Sequence, residues 1–130
     1  MALKYKIVST YSPGEGKKGK QLWFPKITGS SQINLREIAK ILHKRSTASE
    51  SDVYLIVKGL VDLIPELLAD GYTVKLDELG TFRLHTKVNT SDSPESVSEK
   101  NINKLRLSFR PDNFIKEGFK NIKIEPDKSK

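Results

Sequence analysis

The feature that most constrains this chain is a run of apolar residues at spacings of three and four, followed directly by a run at spacing two. Val53, Ile56, Val57, Leu60, Val61, Ile64, Leu67 and Leu68 make the first; Val74 and Leu76, alternating with Lys75 and Asp77, begin the second. The first spacing is that of one helix face and the second that of a strand. The helix is predicted to open at Ser49-Glu50-Ser51-Asp52, a capping box with Asp in place of Glu, and to close at Gly71, which suits the left-handed position after a helix. Pro65 falls inside it and removes one backbone hydrogen bond. The apolar phase does not change across Pro65, so one bent helix is expected rather than two shorter ones.

Upstream, Asn34 offers a cap to a shorter helix from about Leu35 to Arg45, with Leu35, Ile38, Ala39 and Leu42 on one face. Before it, Lys4 to Val8 and Leu22 to Ile27 read as a long-looped β hairpin around a Gly- and Lys-rich segment, Ser12 to Lys20. Downstream, strands are expected over Thr81 to Lys87 and Lys104 to Arg110, joined by a polar loop. Pro111 and Asp112 then open a short helix through Lys116, and residues 125–130 read as a frayed charged tail.

A chain of 130 residues is one domain's worth, and its modest apolar content, 36%, suits a core that a second subunit completes. The absence of cysteine removes disulfide frameworks, zinc ribbons and thiol nucleophiles. Met1 to Thr10 lacks the continuous apolar stretch of a signal peptide, and no window approaches a membrane span, so a cytoplasmic protein is expected. The net charge of +7 is uneven: residues 1–34 hold six Lys against Glu15 alone, and residues 35–130 hold 17 basic and 15 acidic residues. A basic arm on a nearly neutral body suits a polyanionic partner, or serves solubility alone.

Several motifs fail on their context. Gly14 to Lys20 fits both GxGxxG and the GxxxxGK part of a phosphate loop, but Gln21 stands where Ser or Thr would hold magnesium, and Leu22-Trp23-Phe24-Pro25 does not open a helix. His43 and His85 have no metal-ligand spacing, and the adjacent carboxylates Asp77 and Glu78 have no partner nucleophile. No enzyme, cofactor, metal or small-molecule substrate is expected.

Strand parity gives the sharper signal. In Thr81 to Lys87, Phe82 and Leu84 point one way while Arg83, His85 and Lys87 point the other; Leu105, Leu107 and Phe109 likewise oppose Lys104, Arg106, Ser108 and Arg110. If the two strands pair, their polar face carries five cations and no acid, which makes it either a solvated face or a phosphate-contacting one.

These elements in this order resemble the bacterial histone-like HU/IHF family over about Ile33 to Lys120. The resemblance rests on the helical hairpin from Leu35 to Ala69, on Asp70-Gly71-Tyr72-Thr73-Val74-Lys75-Leu76, on Gly80-Thr81-Phe82, and on a strand ending Phe109-Arg110 before a short helix. The added N-terminal hairpin is similar to that of longer HU-like proteins of Bacteroidetes. The resemblance implies an α+β intertwined homodimer: a helical-hairpin body, a three-stranded antiparallel sheet per subunit, and a basic saddle with two β arms embracing double-stranded DNA. It implies a dimer core of Ile56, Leu60, Ile64, Phe82 and Phe109. By the family's pattern His85, Lys87, Arg110 and Lys116 fall at DNA-contacting positions; with Arg83, Lys104 and Arg106 from strand parity, and Lys17, Lys18 and Lys20 of the hairpin tip as a clamp, they make the expected DNA-binding set. The expected division is 1–32 extension, 33–124 HU-like domain and 125–130 tail, and the expected role is a non-sequence-specific, nucleoid-associated DNA-binding protein. The family's arm carries an Arg-Asn-Pro tip whose proline wedges between base pairs. Here residues 87–104 hold three Lys, one Asp and two Glu, lack Arg-Asn-Pro, and offer only Pro94 between Ser93 and Glu95. That departure suits binding without kinking, or an HU-fold module turned to protein interaction through Trp23 and Phe24.

Overall fold

The computed structural model describes residues 2–14, 16–29 and 31–128. The chain forms two compact units, Met1–Gln32 with Phe119–Lys130, and Ile33–Gly118.

The first unit is a three-stranded sheet of order β2-β1-β6, with β1 at Ala2–Tyr11, β2 at Gln21–Thr28 and β6 at Lys123–Pro126. β1 and β2 form the expected antiparallel hairpin, Lys4 opposite Thr28 through Tyr11 opposite Gln21. Its loop turns at Gly14 and Gly16, both at positive φ, and leads into a strand rather than a helix, so the phosphate-loop spacing has no phosphate-loop structure. β6 corrects the sequence reading: Glu125 and Pro126 are not in a frayed tail but in a strand parallel to β1, with Leu3 opposite Ile124. Residues 119–130 belong with the N-terminal strands in the first compact unit. A two-stranded ribbon is marginal alone, and the open edge of β1 accepts a third strand. Thr28 Oγ1 donates to Asp127 at 2.8 Å and the Asp127 amide to the Tyr5 carbonyl at 2.7 Å, which ties the end of β6 across β1.

The second unit joins a helical hairpin to a sheet of order β3-β4-β5. α1, Leu35–Lys44, opens on Asn34, whose side chain accepts from the Glu37 amide while Glu37 accepts from the Asn34 amide, both at 3.0 Å. α2, Glu50–Ala69, is capped by Ser49 and runs through Pro65 as one helix. It ends with Gly71 at φ 93° and paired bonds from Gly71 to Leu68 and from Tyr72 to Leu67, a Schellman closure. β3, Val74–Leu76, turns tightly into β4, Gly80–Val88, which pairs with β5, Ile102–Pro111; α3, Asn113–Glu117, follows.

Gly80 explains why glycine precedes Thr81-Phe82. A Cβ there would lie 2.5 Å from the Phe109 ring and 2.6 Å from the Arg110 carbonyl, a gap only hydrogen can fill. Phe109 folds into that space and meets Phe82 at a centroid distance of 4.8 Å.

The core of a single chain is small. Ala39, Leu68 and Val74 are its buried apolar residues among those described, while Ile56 is 72% exposed and Leu60, Leu105, Leu107 and Phe109 are exposed as well. Ile64 and Phe82 are half-buried. Apolar side chains therefore line an open sheet face and an open helix side in this unit, far more than a folded monomer ordinarily leaves to water.

Candidate nucleic-acid interface

The register of the second sheet assembles the cationic face. Arg83 lies opposite Ser108, His85 opposite Arg106, Lys87 opposite Lys104, and Thr81 opposite both Arg110 on β5 and Lys75 on β3. Side chains opposite one another share a face. One face therefore carries Lys75, Arg83, Lys87, Lys104, Arg106 and Arg110 with His85, Thr81 and Ser108, and no carboxylate. The other carries Val74, Leu76, Phe82, Leu84, Leu105, Leu107 and Phe109. The parity argument located five of these cations; Lys75 was missed, although its alternation with Val74 and Leu76 carries the same signal.

All six cations are exposed. Lys58 pairs with Asp62 on α2 at 2.7 Å, and among the described residues no salt bridge engages the sheet cations. Paired strands set the backbone positions beneath them. Ser108 Oγ donates to the Arg83 carbonyl at 3.3 Å, which leaves its oxygen to accept from His85 Nε2 at 2.8 Å. His85 is thus held against the sheet, while Arg83 and Arg106 project from it.

Asp112 secures the far end. Its carboxylate accepts from the Glu78 amide at 3.2 Å and the Asn113 amide at 2.8 Å, and its own amide donates to the Leu79 carbonyl at 3.0 Å. One side chain thereby holds the β3–β4 turn, where Glu78 sits at φ 71°, and starts α3. Lys75, Arg110 and Lys116 line one shallow depression at this end. His85, Lys87, Lys104 and Arg106 line another toward the opposite end.

Beyond Lys87 and Lys104 the hairpin closes on itself. The Asn89 amide donates to the Asn101 carbonyl at 2.7 Å, Asn101 Nδ2 donates to the Asn89 carbonyl at 3.0 Å and Ser91 Oγ at 2.7 Å, and the Asn89 and Asn103 side-chain amides exchange bonds. Short 3-10 turns at Pro94–Ser96 and Glu99–Asn101 fill the loop, and Asp92, Glu95 and Glu99 are exposed on it. The loop is a polar, acid-bearing cap, and Pro94 opens a turn within it.

Lys17 and Lys18 occupy a 3-10 turn of the first unit and Lys20 precedes β2, whereas the other sequence-predicted contacts belong to the second unit. Trp23 and Phe24 both border one apolar depression of the first unit. Trp23 lies opposite Ser9 and Phe24 opposite Val8.

The fold of this chain is similar to that of a known structure. A crystal structure reported as a "Putative bacterial DNA binding protein from Bacteroides vulgatus" superimposes with a TM-score of 0.64 at 13% identity, over 99% of this chain and 50% of that one. This chain therefore spans about half the length of that relative. No curated protein matches it. No described helix is long and apolar enough to cross a membrane. Residues 1–126 match the HU-HIG family, described as an HU domain fused to wHTH, Ig, or glycine-rich motif, and the chain belongs to that family.

Proposed function

We propose that this protein is an architectural, non-sequence-specific DNA-binding protein that acts as a homodimer on nucleoid DNA in the cytoplasm. The observation that carries the reading is the two-sided β3-β4-β5 sheet, with six exposed cations and no acid on one face and an uncovered apolar surface on the other. The apolar side, with Ile56, Leu60, Ile64, Phe82 and Phe109, is covered by a second copy. The cationic side, with Arg83, His85, Lys87, Lys104, Arg106, Arg110, Lys116 and the added Lys75, faces phosphates. Lys17, Lys18 and Lys20 of the N-terminal hairpin add phosphate contacts of their own.

Sequence-blind binding suits this surface because its cations are exposed on paired strands and suited to phosphates, and phosphate contacts carry no sequence information. Bending, where it occurs, comes from wrapping on the cationic sheet, since the loop cap presents no Arg-Asn-Pro wedge. The test is fluorescence anisotropy of a labelled short duplex, intact and gapped, titrated at several salt concentrations. About four to eight phosphate contacts per dimer give a log-log salt slope of roughly −4 to −7. Preference for the gapped duplex adds bending, and absence of binding at low salt removes the reading.

A second reading has its own support. The acidic loop cap and the uncharged, exposed Trp23 face of the first sheet suit an HU-fold module that binds a protein instead. Deleting residues 1–31 would abolish partner binding under that reading and only weaken DNA binding under the first.

A further inference from the structure

The chain's entire net positive charge resides in the first unit. Residues 1–32 and 119–130 hold ten Lys against Glu15, Glu125 and Asp127, a net +7, whereas residues 33–118 hold thirteen basic and thirteen acidic residues. All ten cations are lysines, which act on phosphate as hydrated point charges and do not form the planar, bidentate pairs of arginine.

Register gives that charge a surface. Lys6 lies directly opposite Lys26, Lys4 opposite Thr28 on one side and Glu125 on the other, and Ala2 opposite Lys123. Lys4, Lys6, Lys26 and Lys123 thus share one face of the sheet, all exposed. The acidic groups on that side are Glu125, and Asp127, which accepts from Thr28; no ion pair engages any of these four lysines among the described residues. The opposite face, with Tyr5, Ile7, Trp23, Pro25, Ile27 and Ile124, is uncharged.

Two lysines directly across an antiparallel pair repel one another, with Cβ atoms roughly 5 Å apart. The arrangement is relieved when a polyanion takes the space above them. Lys4 continues the row one strand repeat away from Lys6. The face is separate from the arginine-bearing sheet: it is built on different strands, in a different unit, and carries the charge that the second unit lacks.

We infer that the lysine face of the β2-β1-β6 sheet is a second duplex-binding surface, so that the protein holds two DNA segments together, one on the sheet of each unit. Naming DNA as the polyanion rests on the function proposed above; the surface itself rests on register and charge. Contacts from Lys4, Lys6, Lys26 and Lys123 would contribute about 3.6 to the salt slope of this site, enough for binding that is tight at low salt and fast to release.

The test is capture of one duplex by another. A biotinylated duplex on beads is loaded with the full-length protein and offered a free fluorescent duplex at 50 mM salt. The unaltered protein retains the fluorescent duplex. K6E/K26E still binds a single duplex by anisotropy and drops capture to background. The Trp23 emission and circular dichroism of K6E/K26E match those of the parent, and K6Q/K26Q, which removes charge without reversing it, reduces capture at least threefold.

Capture by K6E/K26E equal to the parent overturns the second surface. So does a parent that coats the beads but captures nothing, an outcome that leaves the arginine sheet as the single site. A parent that does not bind the bead duplex removes both this inference and the function on which it rests.

Discussion

Neutralising Arg83 and Arg106 together tests the cationic sheet most directly. Arg83 lies opposite Ser108 and Arg106 opposite His85, so the two are diagonal neighbours on one face, exposed and without a carboxylate partner. In the proposed dimer, the R83Q/R106Q protein presents four fewer cations. At about 0.9 per phosphate contact its log-log salt slope is shallower by roughly 3.6. Between 50 and 200 mM salt, a span of about 0.6 log units, the parent loses roughly 150-fold more affinity than the variant for those four contacts alone. An interface of eight contacts keeps half its slope, and one of four keeps almost none. Neither side chain packs in the core or holds a hydrogen bond that the fold needs, so unfolding stability stays within about 0.5 kcal/mol of the parent. Anisotropy of a labelled duplex across the salt series, with urea unfolding alongside, measures both quantities. An unchanged slope in a protein of parental stability refutes the assignment, because these arginines then touch no phosphate.

Three other outcomes follow from the same geometry. G80A puts a methyl group 2.5 Å from the Phe109 ring and 2.6 Å from the Arg110 carbonyl; loss of the Phe82–Phe109 stack and of that fit lowers stability by about 2–4 kcal/mol in urea unfolding, and parental stability counts against the packing argument. I56D alters a residue 72% exposed in one chain, so a monomer tolerates it within about 0.5 kcal/mol, whereas a dimer with Ile56 at its centre dissociates in sedimentation velocity. D92N/E95Q/E99Q removes the exposed acids of the loop cap, and duplex affinity rises severalfold at low salt with the gain vanishing near 0.5 M; equal affinity at low salt would place the cap away from the DNA.

Much of the second unit was legible because its signals are periodic and local. Val53 to Leu68 kept one phase through Pro65, and α2 is one helix; Asn34, Ser49 and Gly71 bounded α1 and α2 by chemistry that sequence displays directly. Parity on Thr81 to Lys87 and Lys104 to Arg110 gave the sheet face because antiparallel register preserves it. β6 escaped for the opposite reason. Lys123-Ile124-Glu125-Pro126 is short, has one apolar residue, and becomes a strand only because β1, over a hundred residues earlier, offers it an edge. Lys75 escaped because β3 is three residues long and its membership of the face depends on a pairing with Thr81. The loop cap was legible as polar composition but not as structure, since its closure depends on Asn89, Asn101 and Asn103 meeting across the hairpin.

The distribution of charge separates two arguments that a whole-chain isoelectric point merges. A net +7 measures long-range attraction to polyanions, and here it belongs to the first unit; the cationic sheet of the second unit lies in a domain of zero net charge. Long-range attraction is screened within about 8 Å at physiological salt, whereas contacts at a face act at that distance or less. The two units are therefore suited to different steps. On the function proposed, lysines of the first unit would gather DNA without preferred geometry and respond most to salt, and arginines of the second, carried on paired strands, would act once phosphates are in contact. Removing lysines from the first unit should slow association with little change in the dissociation rate of the bound complex, and removing Arg83 and Arg106 should do the reverse. Stopped-flow measurements on K6Q/K26Q and R83Q/R106Q decide this, because equal effects on both rates in both variants would mean one continuous electrostatic surface with no division of labour.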